Sequence, residues 1–159
     1  AGAALSDVLG RDARLSEVLV ITSEPGADGQ ALHSDASWVG PTGPRTFTMF
    51  LAMHDIRDFS MGPTHFCLDT HHPRCFPDEQ WLAPDDARAA QEHIHDAKPE
   101  VWFELGAGDA VLMDSFCWHR GGKNCHSDRS RTVLAVSFVS EDPSEMSKES
   151  SGYRLRDFL

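Results

Sequence analysis

Gly106-Ala-Gly-Asp-Ala-Val-Leu-Met-Asp-Ser-Phe-Cys-Trp-His119 reads as a turn, a strand and then a histidine. Gly106 and Gly108 break the chain before Asp109–Asp114, a short apolar run of strand length. Working outward, runs of the same kind recur. Ser16–Thr22 is rich in β-branched residues, and Thr46–Met53 is apolar with aromatic and Thr content and partial alternation. Thr64–Leu68 follows the Gly62-Pro63 break, and Val101–Leu105 and Thr132–Val139 complete the set. Many short strands separated by turn chemistry predict an all-β antiparallel sandwich or barrel rather than a doubly wound α/β sheet.

One stretch departs from this pattern. Residues 73–100 are rich in Pro, Asp and Ala, and Pro84–Ala97 opens with Pro and acidic residues and continues with Ala. Those are helix-start signals, so the stretch reads as an insertion carrying one exposed helix. Leu5–Arg14 is mixed and reads as a short helix or loop. The tail, 140–159, is polar and is expected on the surface. With 159 residues, the chain fits a single domain spanning 1–159.

Composition excludes some partners. There are 14 Lys+Arg against 25 Asp+Glu, a formal net charge of -11. Nucleic acid and anionic membrane surfaces are therefore disfavoured. No run reaches the roughly 18 apolar residues of a transmembrane helix. Cys67, Cys75, Cys117 and Cys125 are too few for a disulfide scaffold and contain no C-x-x-C pair, although the shared spacing leaves one or two bridges open. The sequence opens on Ala1 rather than Met, which fits a removed leader or a start inside a longer chain. The expectation is a soluble protein, intracellular or organellar.

Three pieces carry chemistry. In Gln30-Ala-Leu-His33-Ser-Asp35, the histidine and carboxylate are two apart, so on extended chain they face the same way. An imidazole and a carboxylate suit a divalent ion of intermediate softness, Fe(II), Mn(II) or Zn(II). His119, directly after the strand 109–114, supplies a third ligand from far along the chain. Two His and one carboxylate occupy one face of an octahedron and leave the other positions open, the pattern of non-haem Fe(II) oxygenases. Arg131 opens the strand 132–139, where a guanidinium can take a carboxylate in bidentate fashion, as the far end of a 2-oxo acid requires. Arg129 is the rival for that role.

Four pieces in this order resemble the phytanoyl-CoA dioxygenase family: Pro25–Asp35, Gly62–Phe66, Gly108–His119 and Ser127–Leu134. The resemblance covers roughly 15–140. It implies a double-stranded β-helix (jelly roll), Fe(II) and 2-oxoglutarate. It implies His33, Asp35 and His119 as metal ligands and Arg131 as the partner of the cosubstrate carboxylate, with Thr48 and Phe50 beside the cosubstrate. The implied activity is hydroxylation of a C–H bond of a small-molecule substrate with O2. Halogenase relatives replace the carboxylate of H-x-D by a small residue, and Asp35 is present. His65 and Gln30 are the substrate-side candidates.

Two departures stand beside the resemblance. Leu68-Asp-Thr-His71 replaces the usual Pro-Gly-Ser-His turn, and family members are longer at the N-terminus. These motivate an alternative, a non-catalytic structural or assembly subunit of a larger complex. They also leave room for a protein partner or an N-terminal segment outside this sequence. A cupin-like Zn or Mn hydrolase or isomerase is a weaker reading, because it gives Arg131 no task. His93 and His95 on the predicted helix read as solvated side chains, His71 and His72 as surface or loop-structuring residues, and His54 and His126 carry no context. Trp38, Trp102 and Trp118 read as packing. No nucleophile elbow, Walker A or dinucleotide fingerprint occurs.

Overall fold

The computed structural model describes residues 2–36, 45–71, 94–96, 98–140 and 153–158. Within them lie helix α1 (Gly2–Leu9) and strands β1 (Arg14–Ser23), β2 (Thr46–Ala52), β3 (Thr64–Cys67), β4 (Glu100–Val101), β5 (Ala110–Asp114), β6 (His119–Gly121) and β7 (Arg131–Val139). A four-stranded antiparallel sheet runs β1-β7-β2-β5, and a three-stranded one runs β4-β3-β6. This is the all-β antiparallel architecture that the strand pattern predicted, in the jelly-roll form that the resemblance implied.

β7 organises the larger sheet. Arg131, Val133, Ala135 and Ser137 alternate as its buried face, while Thr132, Leu134 and Val136 are half-buried on the other. Its inner face meets Phe50, Ala52, Met113 and, from the small sheet, Phe66, which together close the core. The Phe50 and Phe66 rings lie 6.2 Å apart, centroid to centroid, and join the two sheets. A second apolar cluster covers the outer face. Leu5 and Leu9 of α1, one helical turn apart, pack with Ala13, Phe138 and Leu155.

Two expectations change and one is sharpened. The strand expected over 101–105 pairs only at Glu100–Val101, and Leu105 instead bridges Ile56 in both directions, at 2.7 and 3.0 Å. Leu5–Arg14 resolves into α1 and the first residue of β1. The tail is not polar throughout: Leu155 is 2% exposed against α1, and Arg154 bridges Arg14. An apolar side chain able to fill the groove beside Leu5 and Leu9 outweighs the polar character of its neighbours. Of the predicted helix, residues 94–96 are helical and the greater part lies outside the described residues. No helix among the described residues is long and apolar enough to cross a membrane.

The loop ahead of β3 is held by a close backbone crossing. A 3-10 turn, Phe59–Met61, is capped by Asp58, whose carboxylate accepts from the Ser60 N–H at 2.9 Å. It ends at Gly62, which has φ 67° and where a Cβ would lie 2.4 Å from the carbonyl oxygen of Gly122. The Gly122 N–H donates to Pro63 O at 2.9 Å.

Candidate functional site

A cavity of about 260 Å³ opens between the sheets. Its back wall is the inner face of β7, and Thr48 and Phe50 of β2, Thr64 of β3 and Glu17, Leu19 and Ile21 of β1 complete it. His33, Asp35 and His119 stand on its other side, with Gln30 and Gly121.

The ligand-type residues converge because two distant backbones pair. His33 and His119 form an isolated antiparallel bridge, with N–H to O distances of 3.0 and 2.7 Å in the two directions. Their rings come to 4.5 Å, centroid to centroid. The His33 Nδ1–H donates to Ala31 O at 2.8 Å, and the His119 Nδ1–H donates to Cys117 O at 3.0 Å. A carbonyl only accepts, so each Nδ1 carries the proton and each Nε2 presents a lone pair. Asp35 Oδ1 lies 3.5 Å from His33 Nε2 and 3.6 Å from His119 Nε2. All three ligand atoms lie within 4.8 Å of one another. Three first-row metal–ligand bonds of about 2.1 Å at right angles put such atoms about 3 Å apart, so a small closure accommodates one ion.

The electrostatics suit a cation. Burial pushes the Asp35 carboxyl up, but the His33 hydrogen bond and the charges of His119 and His33 outweigh it and hold the group below its ordinary value. Protonated at Nε2, His33 would donate to Asp35, and this raises its pKa. Burial lowers His119, which is 4% exposed and therefore stays neutral, as a ligand must.

Arg131 lies in the same cavity and is 4% exposed. Its Nη1 donates to Thr64 Oγ1 at 3.3 Å, and its Nε has no hydrogen-bond partner among the described residues. No carboxylate of the described residues pairs with it, and burial alone pulls its pKa down. A buried guanidinium without an anion is costly, and none of the described residues supplies one. Gly121 leaves the space: a Cβ there would lie 3.1 Å from Arg131 Nη2 and 2.9 Å from Gln30 Oε1. Arg129, the rival, is exposed, and its carbonyl accepts from Asn124.

Of the residues singled out from sequence, His33, Asp35, His119, Arg131, Thr48, Phe50 and Gln30 all line this cavity. The Oε1 of Gln30 accepts from the Gly121 N–H at 2.8 Å. His65 does not line it. It points to the opposite face of β3, where its Nδ1 meets Glu100 Oε2 at 3.0 Å and its ring lies 5.4 Å from that of Phe59. The alternation of β3 sends Thr64 inward and His65 outward. Thr64, Glu17 and Ser137 went unnoticed in the sequence, as did Asn124. Asn124 is fully buried and ties the loop before β7 to Ser23 O and Arg129 O, each at 2.8 Å. Cys67, Cys117 and Cys125 are free thiols, and Cys75 lies outside the described residues. Burial, chiefly, pushes the Cys67 thiol up to about 12.

Comparison with known proteins bears on the fold and the family. Dioxygenase af480 of Aspergillus fumigatus is 29% identical over 129 residues, which are 80% of this chain and 38% of that protein. Among solved structures, AviO1 of Streptomyces viridochromogenes superposes with a TM-score of 0.65 at 19% identity, over 90% of this chain and 57% of AviO1. HygX of Streptomyces hygroscopicus, solved with nickel, 2-oxoglutarate and hygromycin B bound, gives 0.63 at 15% identity, over 99% of this chain and 72% of HygX. The chain thus spans well under half the length of the curated relative and more than half of these solved structures. The sequence profile of the family described as Phytanoyl-CoA dioxygenase matches residues 3–133, and the chain belongs to that family.

Proposed function

We propose that these residues form the active centre of an Fe(II)- and 2-oxoglutarate-dependent dioxygenase that hydroxylates a C–H bond of a small molecule. His33, Asp35 and His119 hold the metal, and Arg131, with Thr64 beside it, holds the far carboxylate of the cosubstrate. The observation that carries the reading is Arg131, a buried cation with no acid partner among the described residues, in the cavity that contains the His-Asp-His group. A metal site alone gives that guanidinium no task, whereas a dianionic cosubstrate does. Bound there, iron and the 2-oxo acid supply the oxidising chemistry, with O2 consumed, succinate and CO2 released and one oxygen delivered to the substrate. The protein's own part is positional. The backbone bridge between His33 and His119 sets the ligand spacing, their Nδ1 bonds fix ring orientation, and Phe50 and Val133 keep the interior apolar.

The test is anaerobic addition of Fe(II) and 2-oxoglutarate. The expected result is a visible charge-transfer band that disappears on admitting O2, with succinate formed. His119→Ala and Asp35→Ala are expected to abolish succinate formation, and Arg131→Ala to raise the 2-oxoglutarate requirement. The absence of a band in the wild-type protein, or full turnover by His119→Ala, would overturn the assignment.

A further inference from the structure

We infer that the stretch of the cavity lined by Glu17, Thr48 and Ser137 is the substrate's subsite, and that it takes a molecule bearing a cationic amine beside hydroxyl groups. The inference rests on the metal and cosubstrate reading above and goes beyond it.

The first observation is a β-bulge. β1 pairs Leu15 with Phe138 and then Glu17 with Ser137, so Ser16 is the extra residue. Its Oγ–H donates to Ser137 O at 3.0 Å. With regular pairing, Glu17 would oppose Val136 and point away from the cavity. The bulge turns Leu15 to the outer apolar cluster and brings Glu17 onto the cavity face beside Ser137. Glu17 is thus an exposed carboxylate at the cavity's mouth, turned to that face by a specific distortion.

The second observation is a chain of hydroxyls. Thr48 Oγ1 lies 3.1 Å from Ser115 Oγ and 2.9 Å from Ser137 Oγ, and all three residues are more than nine-tenths buried. Three hydroxyls bring three protons, and the two bonds among them engage two. One proton and several lone pairs remain for a ligand, and Thr48 and Ser137 face the cavity.

The third is position. Thr48 pairs with Ser137, six residues along β7 from Arg131, or roughly 20 Å on an extended strand. A five-carbon diacid held by Arg131 does not reach there, so Thr48 belongs to the substrate rather than to the cosubstrate. Charge then selects the substrate. The metal dication, the diacid's two charges, Arg131 and Asp35 cancel, leaving Glu17. No cation of the described residues pairs with Glu17, and Arg131 is the only cation among those lining the cavity. A coenzyme A thioester, the class in the family's description, brings several phosphate charges toward this carboxylate and toward a chain of net charge -11. The mouth repels such a molecule and attracts an amine.

The test loads the protein with Mn(II) and 2-oxoglutarate and measures paramagnetic relaxation of small probes near the metal. The probes are trans-2-aminocyclohexanol, trans-1,2-cyclohexanediol and trans-2-hydroxycyclohexanecarboxylate, alike in shape and different in charge. The amino alcohol is expected to be relaxed about two- to fivefold more than the diol, the range of a solvent-facing ion pair. The carboxylate is expected to be relaxed least. Glu17→Gln should bring the amino alcohol down to the diol, and Glu17→Lys should invert the order. Equal relaxation of all three probes in the wild type, or an amine preference unchanged in Glu17→Gln, would overturn the inference. Relaxation of bulk water, read before any probe is added, reports metal binding separately. Its failure would overturn the metal reading and take this inference with it.

Discussion

The N–H of His33 donates to the carbonyl of His119 and the N–H of His119 donates back, so the ligand-bearing side chains are registered by main chain alone. Either imidazole can therefore be removed without dissolving the bridge. His119→Ala should fold and bind Mn(II) at least about 100-fold more weakly, since even supporting shells of metal ligands are worth 10–100-fold. Isothermal titration beside a far-UV spectrum checks both halves, and wild-type affinity in a folded His119→Ala protein would show that the metal, if any, binds elsewhere.

Arg131 sets the opposite signs of two effects. Replacing a lone buried cation by an apolar side chain of similar length removes a desolvation cost, so Arg131→Met should leave the cosubstrate-free protein as stable as wild type or more so. The same change removes the anion's partner. Binding of 2-oxoglutarate should weaken by about 3 kcal/mol or more, roughly two orders of magnitude. A melting curve and a 2-oxoglutarate titration read the two effects separately, and a marked loss of stability without loss of binding would contradict this account.

Acid should release the metal through His33 first. A ligand imidazole must be neutral, so protons compete with the ion. Burial lowers His119 below 6.5, and it resists protonation. The Asp35 hydrogen bond raises His33 above 6.5, so its protonation begins at higher pH. Mn(II) affinity should therefore start to fall above pH 6.5, initially with one proton taken up per ion released. In the metal-free protein, His33 contributes stability below pH 6.5 that is lost as pH rises through its raised value. His119 has the opposite sign, and its contribution is lost as pH falls below 6.5. Asp35 behaves likewise at lower pH, losing its contribution as pH falls from the ordinary carboxyl value, 3.8, through its depressed one. Mn(II) titrations across this range check the sign of the metal effect.

Gly62→Ala should be the most damaging of the small changes near the site. A Cβ there would lie 2.4 Å from Gly122 O, with φ at 67°, so both backbone conformation and space oppose it. The loss should be about 2–4 kcal/mol, combining left-handed strain with overpacking. Chemical denaturation measures it, and a change below about 1 kcal/mol would mean the crossing is slack.

The parts of this molecule that were legible in the sequence are those governed by local chemistry. Strand-length apolar runs announced β1, β2, β5 and β7, and H-x-D with a distant His and Arg marked the cavity residues. Features set by pairing partners were not legible. β6 is three residues long, two of them His119 and Gly121, and exists because β3 offers it a ladder. Nothing in the run Ser16–Thr22 announces the bulge at Ser16, which sets the face that Glu17 takes. His65 reads as facing the barrel until the pairing of β3 sends Thr64 inward instead. Leu155 sits in polar surroundings, and only the groove beside α1 gives it a place.

The placement of β7 also bears on how the chain reaches this structure. It is the last of the seven strands in sequence, yet it lies between β1 and β2 and pairs with both. Until it arrives, β1 has no partner among the described strands and one edge of β2 has no ladder neighbour. During synthesis, then, earlier segments wait with ladder edges open, and assembly begins in earnest only once 131–139 is free to insert. Folding should be slow, dominated by closure of long loops, and ribosome-bound chains ending before β7 should be the species that need chaperones.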